Sequence, residues 1–216
     1  VKNILVPLLA FILGFTGVAG YQILKNKQTP PATSSPVEVL VTPEPTFALV
    51  PPSQAMSGVL TVTGGHALKF SRNDSEYKEA STGALILLGE SVATNENSTA
   101  MAEVGGIVKA NLAPVSELVF ANLFPTNFVL QQKAGKIEYM VEKPISVRAL
   151  HTLVAMNPGD VTINIIDTDS SVTVKTGSVK FALVDNDNNT NVWNLQSGQR
   201  ANIDDQTRQV TLVQAR

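Results

Sequence analysis

The chain of 216 residues contains no cysteine. Disulfides, thiolate zinc sites, iron–sulfur clusters and thiol nucleophiles are excluded together. Histidine is nearly missing. His66 and His151 stand far apart, with no H-x-x-x-H or H-E-x-x-H spacing, and read as surface or core side chains, not metal ligands. Charged residues are scarce, at 16%, against an ordinary share of about a quarter. They also balance, 18 acidic against 16 basic, so no basic field exists to hold nucleic acid. Aromatics make up 6% and tryptophan occurs once, as Trp193, which leaves little for a sugar-stacking face. After Leu24 no stretch sustains the 3.6-residue period of an amphipathic helix. No cofactor is indicated.

What is present falls into three parts: residues 1–28, 29–54 and 55–216. The run from Ile4 to Leu24, ILVPLLAFILGFTGVAGYQIL, carries no charge. At about 1.5 Å per residue it spans roughly the 30 Å of a bilayer core. A buried soluble helix and a cleaved signal peptide, with Val18-Ala19-Gly20 as cleavage site, compete with an uncleaved anchor. The length of the apolar core favours the anchor, in contact with membrane lipid through residues 4–24. Ala10, Gly14 and Gly17 share one helical face, a stripe through which two anchors would associate weakly. Flanking lysines nearly tie on orientation.

Residues Thr29 to Gln54 hold seven of the twelve prolines. They forbid helix and block strand ladders, so an extended, partly polyproline II spacer is expected. A tether of this composition followed by a β domain suits the outer face of a membrane, periplasmic or cell-surface.

From residue 55 onward the pattern is short alternating runs. Ile137, Tyr139 and Val141 alternate with Glu138, Met140 and Glu142; Val161, Ile163 and Ile165 alternate with Thr162 and Asn164; Val172 and Val174, then Val179, Phe181 and Leu183, keep the same period. Turn residues recur between them, with Gly89, Gly135, Gly159, Gly177 and Gly198 as structural turns. The expectation is an all-β sandwich, roll or short solenoid of many short strands. Lys133–Tyr139 and Lys175–Phe181 resemble one another, with Ser197-Gly198 as a third such corner, which suggests similar corners stacked in one body. Trp193 shares parity with Leu195 and is expected to face the core.

The order of these signals resembles the FecR-type extracytoplasmic domains. The residues that carry the resemblance are Gly58-Val59-Leu60-Thr61-Val62, then Leu88-Gly89-Glu90-Ser91-Val92-Ala93-Thr94 with Ser98 and Ala100. Next come Ser116 to Phe120 and Leu130 through Gly135, Ile137 and Val141. Ile145, Val147, Ala149, Val154, Gly159 and Ile163 follow, and Val172, Val174, Gly177, Val179, Leu195, Gly198-Gln199 and Ile203 close the pattern. Gly159-Asp160 departs from the Gly-Thr common in the family. The resemblance implies an anchored, non-enzymatic domain outside the membrane that binds a protein or envelope ligand. The best-known members engage a sigma factor through a cytoplasmic N-terminal segment. Here only Val1 to Asn3 precede the apolar run, so direct sigma-factor control is not expected. A surface adhesive or carbohydrate-binding β module is the alternative.

Three constellations touch chemistry. Ser75-Glu76-Tyr77-Lys78 and Lys175-Thr176-Gly177 spell the S-x-x-K and K-T-G of serine β-lactamases, but sit in loop and β pattern without an S-D-N element. Asp185, Asp187 and Asn189 alternate as calcium ligands do, yet the sharp-turn glycine and twelfth-position glutamate are missing; a polar hairpin explains them. Asp167-Thr168-Asp169 reads as another hairpin tip. The uncharged run Val161 to Ile166 is the candidate exposed edge for strand-type binding.

Overall fold

A computed structural model describes residues 54–214 except 72, 73 and 75. The expected span Ile4–Leu24, nearly all of the proline-rich tether and Ser75 lie outside these residues. Among the described residues no helix is long and apolar enough to cross a membrane.

The alternation seen in the sequence is built into 17 strands. They are β1 (Gly58–Gly64), β2 (Ala67–Phe70), β3 (Lys78–Ala80), β4 (Leu85–Ile86), β5 (Ser91–Thr94), β6 (Thr99–Val104), β7 (Val108–Leu112), β8 (Glu117–Phe124) and β9 (Asn127–Val141). The remainder are β10 (Ile145–Ala149), β11 (Thr152–Met156), β12 (Gly159–Ile166), β13 (Asp169–Val174), β14 (Ser178–Val184), β15 (Thr190–Gln196), β16 (Gln199–Asp204) and β17 (Gln209–Gln214). The described residues are all-β.

Pairing sorts the strands into two sheets. The first runs β4, β1, β6, β7, β9, β12, β13, β16, β17. The second runs β3, β2, β5, β8, β9, β10, β11, β14, β15. Strand β9 belongs to both. Its first half pairs with β8 and, in the only parallel ladder among the described residues, with β10. Its second half, from Gly135, pairs with β7 and β12. Because side chains alternate with a period of two, one face of each sheet is apolar, and both faces feed a single hydrophobic cluster. The sheets are therefore two layers over one core. Tyr139, Phe120 and Phe181 are the largest wholly buried side chains in it.

Glycines mark the corners where the chain crosses between layers. Gly65 lies against Asn97 and Ser98, and Gly135 against Val115 and Ser116. Gly159 and Gly177 lie against one another. The register of β9 with β12 places Gly135 beside Ile165 and Val141 beside Gly159. Gly135 and Gly177 therefore occupy opposite rims. The two similar segments, Lys133–Tyr139 and Lys175–Phe181, are both layer-to-layer corners, but they do not stack. The corner that does stack on Gly177 is Ser197-Gly198, where Ser197 Oγ donates to the Gly177 carbonyl at 3.4 Å.

The expectation that Val161–Ile166 is an exposed edge is overturned. This segment is β12, paired on both sides, and Val161, Ile163 and Ile165 are buried. A run of β-branched residues is uncharged here because it sits mid-sheet. Among the described residues the edges are β3 and β4 at one end of the layers and β15 and β17 at the other.

Candidate functional site

Several polar residues that carry the family-like pattern are fixed by hydrogen bonds inside the scaffold. Glu90 follows Gly89 at the entry to β5 and is 6% exposed. Its Oε2 accepts the Leu87 N–H at 2.7 Å and faces Lys69 Nζ at 2.9 Å, while Oε1 accepts from Ser71 Oγ at 2.7 Å. Thr94 Oγ1 donates to the Ala113 carbonyl at 2.6 Å and accepts the Ser116 N–H at 3.0 Å. Ser98 Oγ accepts the His66 N–H at 2.9 Å. Gln199 Oε1 accepts the Gln196 N–H at 2.8 Å, closing the turn at Gly198. Each ties a corner whose backbone groups would otherwise lack partners.

Glu90 gives a measurable consequence. Burial pushes its carboxyl up, but Lys69, Ser71 and the Leu87 N–H together outweigh burial and hold it below the usual glutamate range. A folded value below the unfolded one adds stability above the unfolded value, and that stability disappears as pH falls through the folded one. Glu90→Gln is expected to cost about 2 kcal/mol at neutral pH, since it breaks a partly buried charge pair. The same variant should flatten the loss of melting temperature on acidification through that window. Melting curves across the acid range check both; an acid limb as steep as wild type excludes Glu90 as its source.

On one rim of the C-terminal half, Asp205 joins three hairpin tips. Its Oδ1 accepts the His151 N–H at 3.2 Å, its Oδ2 meets His151 Nδ1, and its own N–H donates to the Thr168 carbonyl at 2.9 Å. Arg208 stands 3.9 Å away. The carboxylate is 8% exposed. His151, read from the sequence as a surface or satisfied residue, is thus partnered at a tip. His66 pairs with Glu79 at 2.5 Å. Asp167 forms the β12–β13 tip in left-handed conformation, at φ 53°.

Beside that rim, the outer face of the first sheet carries an open groove of about 580 Å³. Register places Asn164, Ser171, Asn202 and Thr211 in one row across β12, β13, β16 and β17. Arg200 lies in the neighbouring row, its Nε donating to Asn202 Oδ1 at 2.8 Å, and Asp169 and Asp204 line the opposite side. The lining offers amides, hydroxyls, one guanidinium and carboxylates, and none of its residues is a histidine. These side chains are hydrogen-bond donors and acceptors of the kind a polar ligand would meet. Sequence reasoning missed it, because the four residues of its row come from strands spread over almost fifty residues.

The remaining sequence candidates are placed as follows. Asp185 Oδ1 accepts the N–H groups of Asp187 and Asn189 at 3.0 and 2.8 Å, and its Oδ2 accepts from Asn191 Nδ2 at 3.0 Å. These bonds hold its carboxyl below the ordinary aspartate range and build the β14–β15 tip. Among the described residues no group of three or more His, Asp or Glu side chains converges as metal ligands. Lys78 pairs with Asp74, and Lys175 with Glu138, on separate parts of the fold. Trp193 points inward and stacks on Phe181, centroids 5.0 Å apart. Of the five glycines expected as turns, Gly89, Gly135, Gly177 and Gly198 have φ between 76° and 83°, and Gly159 is at 149°.

No family model matches the chain, and no curated protein does either. Two crystal structures of a candidate anti-sigma factor from Parabacteroides distasonis, at 2.50 and 1.65 Å resolution, share the fold. Each superposes at a TM-score of 0.50 with 14% identity over 58% of this chain. The matched part spans 59% of the length of those proteins. At that identity the likeness is one of fold.

Proposed function

We propose that this protein is a membrane-anchored, extracytoplasmic FecR-like module that regulates or senses by binding a protein or envelope ligand, without catalysis of its own. The fold shared with the candidate anti-sigma factor structures is the observation that supports this reading most. The pattern residues Glu90, Thr94, Ser98 and Gln199 agree with it, since each sits at a corner of that fold. The uncharged run Ile4–Leu24 supplies the anchor and residues 29–54 the tether.

A carbohydrate-binding or adhesive module is the second reading. The row of Asn164, Ser171, Asn202 and Thr211 favours it, because amides and hydroxyls match sugar hydroxyls. The inward stack of Trp193 on Phe181 removes the one tryptophan from that role.

Topology tests the first reading. Protease added to spheroplasts of a cell expressing the chain is expected to digest residues 55–216 and to leave a short N-terminal fragment in the membrane fraction. Full protection of the β domain would place it on the cytoplasmic side and end the proposal.

A further inference from the structure

The two ends of the layered body are built differently. At one end the edge strands are short: β4 has two residues and β3 has three, with Lys78 and Glu79 in the latter. Ile86 of edge strand β4 is nevertheless 0% exposed, so the core is closed over there. At the other end β15 and β17 have seven and six residues, TNVWNLQ and QVTLVQ. Neither strand contains a charge, a proline or a glycine, the devices that usually blunt an edge. No strand among the described residues pairs with their outer sides.

Leu212 shows what this end lacks. It stands opposite Ala201, which is wholly buried, so by register Leu212 points to the core side of β17. Yet it is 51% exposed. Its exposure comes from a missing neighbour at the end of the layers, not from facing outward. On β15 the inward Trp193 is likewise only partly buried, while Val192, on the outer face, is 51% exposed.

We propose that this end is a self-association surface, and that a second copy of this chain joins β17 to β17 and β15 to β15 in antiparallel register about a two-fold axis through both layers. Two features select a second copy over a single added strand. First, both layers end together. Sheets packed face to face lie about 10 Å apart, so one peptide strand covers only one of two such edges. A second copy presents two edges at that same spacing. Second, a two-fold brings each strand against itself, and a charged strand would meet its own charge. The charged edge β3 is unsuited to that pairing, and the uncharged β15 and β17 are suited. An axis perpendicular to the sheets keeps inward residues inward. Val210 and Leu212 of one copy then meet those of the other, and the two cores become continuous.

The lack of cysteine makes the test direct, because any disulfide in a single-cysteine variant links two chains. Cross-strand neighbours near the axis approach within disulfide range. The full chain carrying Thr211→Cys, in detergent, is expected to give a covalent dimer on mild oxidation. The same chain with Leu85→Cys, exposed on the opposite edge, is expected to form no covalent dimer. Sedimentation of the full chain at about 100 µM should show a dimer that Leu212→Lys weakens at least roughly tenfold, the effect expected of a residue central to an interface. If Leu212→Lys loses the β circular-dichroism signal, the outward Val192→Lys is read in its place.

A wild-type monomer at that concentration overturns the proposal. So does cross-linking of Leu85→Cys equal to that of Thr211→Cys, which would be random collision. So does a dimer unaffected by either lysine variant, which would assign association to the Ala10, Gly14 and Gly17 stripe. Capture of a different protein on the edge of a monomeric chain would overturn it in favour of heterologous strand addition.

Discussion

Replacing Gly135 by alanine is expected to destabilise the domain by about 4 kcal/mol, enough to remove a third or more of the stability of an ordinary domain. Two causes act at the same atom. The residue has φ of +76°, where a side chain costs about 1–2 kcal/mol. A Cβ there would also lie 2.3 Å from the Val115 carbonyl oxygen and 2.3 Å from Ser116 Oγ. Neither neighbour is free to retreat. Ser116 Oγ donates to the Lys136 carbonyl, and the Ser116 N–H is bound to Thr94. Gly198 separates the two causes. Its φ is +79°, but nothing lies within 4 Å of a Cβ built on it. Gly198→Ala should therefore cost only about 1 kcal/mol, the conformational part alone. Urea unfolding of both variants measures the difference. Equal costs would mean that the corner opens to admit a methyl group, and that β9 is not pinned against the 113–116 turn.

That contrast marks where local sequence is informative. Alternation in Ile137–Tyr139–Val141, Val161–Ile163–Ile165 and Val179–Phe181–Leu183 was readable because side-chain parity depends only on neighbours in the chain. Each of these triplets is buried as that parity requires. Trp193 followed the same rule through its parity with Leu195. Glycine corners were readable for the related reason that left-handed backbone is a local demand.

Pairing is not local. Strand β1 meets β6, β9 meets β12, and β13 meets β16. No spacing in the chain announces those partners. The run Val161–Ile166 looked like a free edge because an uncharged β-branched stretch is the same string in mid-sheet and at an edge. The similar segments around Gly135 and Gly177 look like a stacked repeat, although one turns the chain from the second layer to the first and the other turns it back.

The candidate site was illegible for the same reason. Its row of Asn164, Ser171, Asn202 and Thr211 exists only through register, and each residue taken alone is an unremarked polar position on a strand. Conversely, Asp185, Asp187 and Asn189 have the spacing of cation ligands. Spacing cannot reveal that the Asp185 oxygens are engaged by amides of their own hairpin.

Gln132 is the residue most clearly missed, and substituting it is expected to have the second-largest effect. It continues the inward parity of Phe128 and Leu130, so a polar group enters the core at 1% exposure. Both ends of the amide are engaged. Its Nε2 donates to the Gly135 carbonyl at 2.7 Å and to the Ile163 carbonyl at 3.2 Å, and its Oε1 accepts from Tyr139 OH at 3.0 Å. Burial pushes the Tyr139 phenol well above its ordinary range, which keeps it a donor at any physiological pH. One side chain thus links both halves of β9 to β12 across the bend. Gln132→Leu fills similar volume but strands the Tyr139 hydroxyl and takes the amide away from two carbonyls in the β9–β12 ladder, at an expected cost of about 3 kcal/mol. Tyr139→Phe alone should cost about 1 kcal/mol. In the double variant the orphaned hydroxyl is gone, so the combined loss should fall short of the sum by about 1 kcal/mol. Unfolding free energies for the four chains close this cycle. Strict additivity would show that Tyr139 and Gln132 act separately. A neutral Gln132→Leu would show that the bend is held by Gly135 and its corner contacts without the amide. The expected coupling instead makes the bend a joint product of a glycine that permits it and a buried amide that locks it.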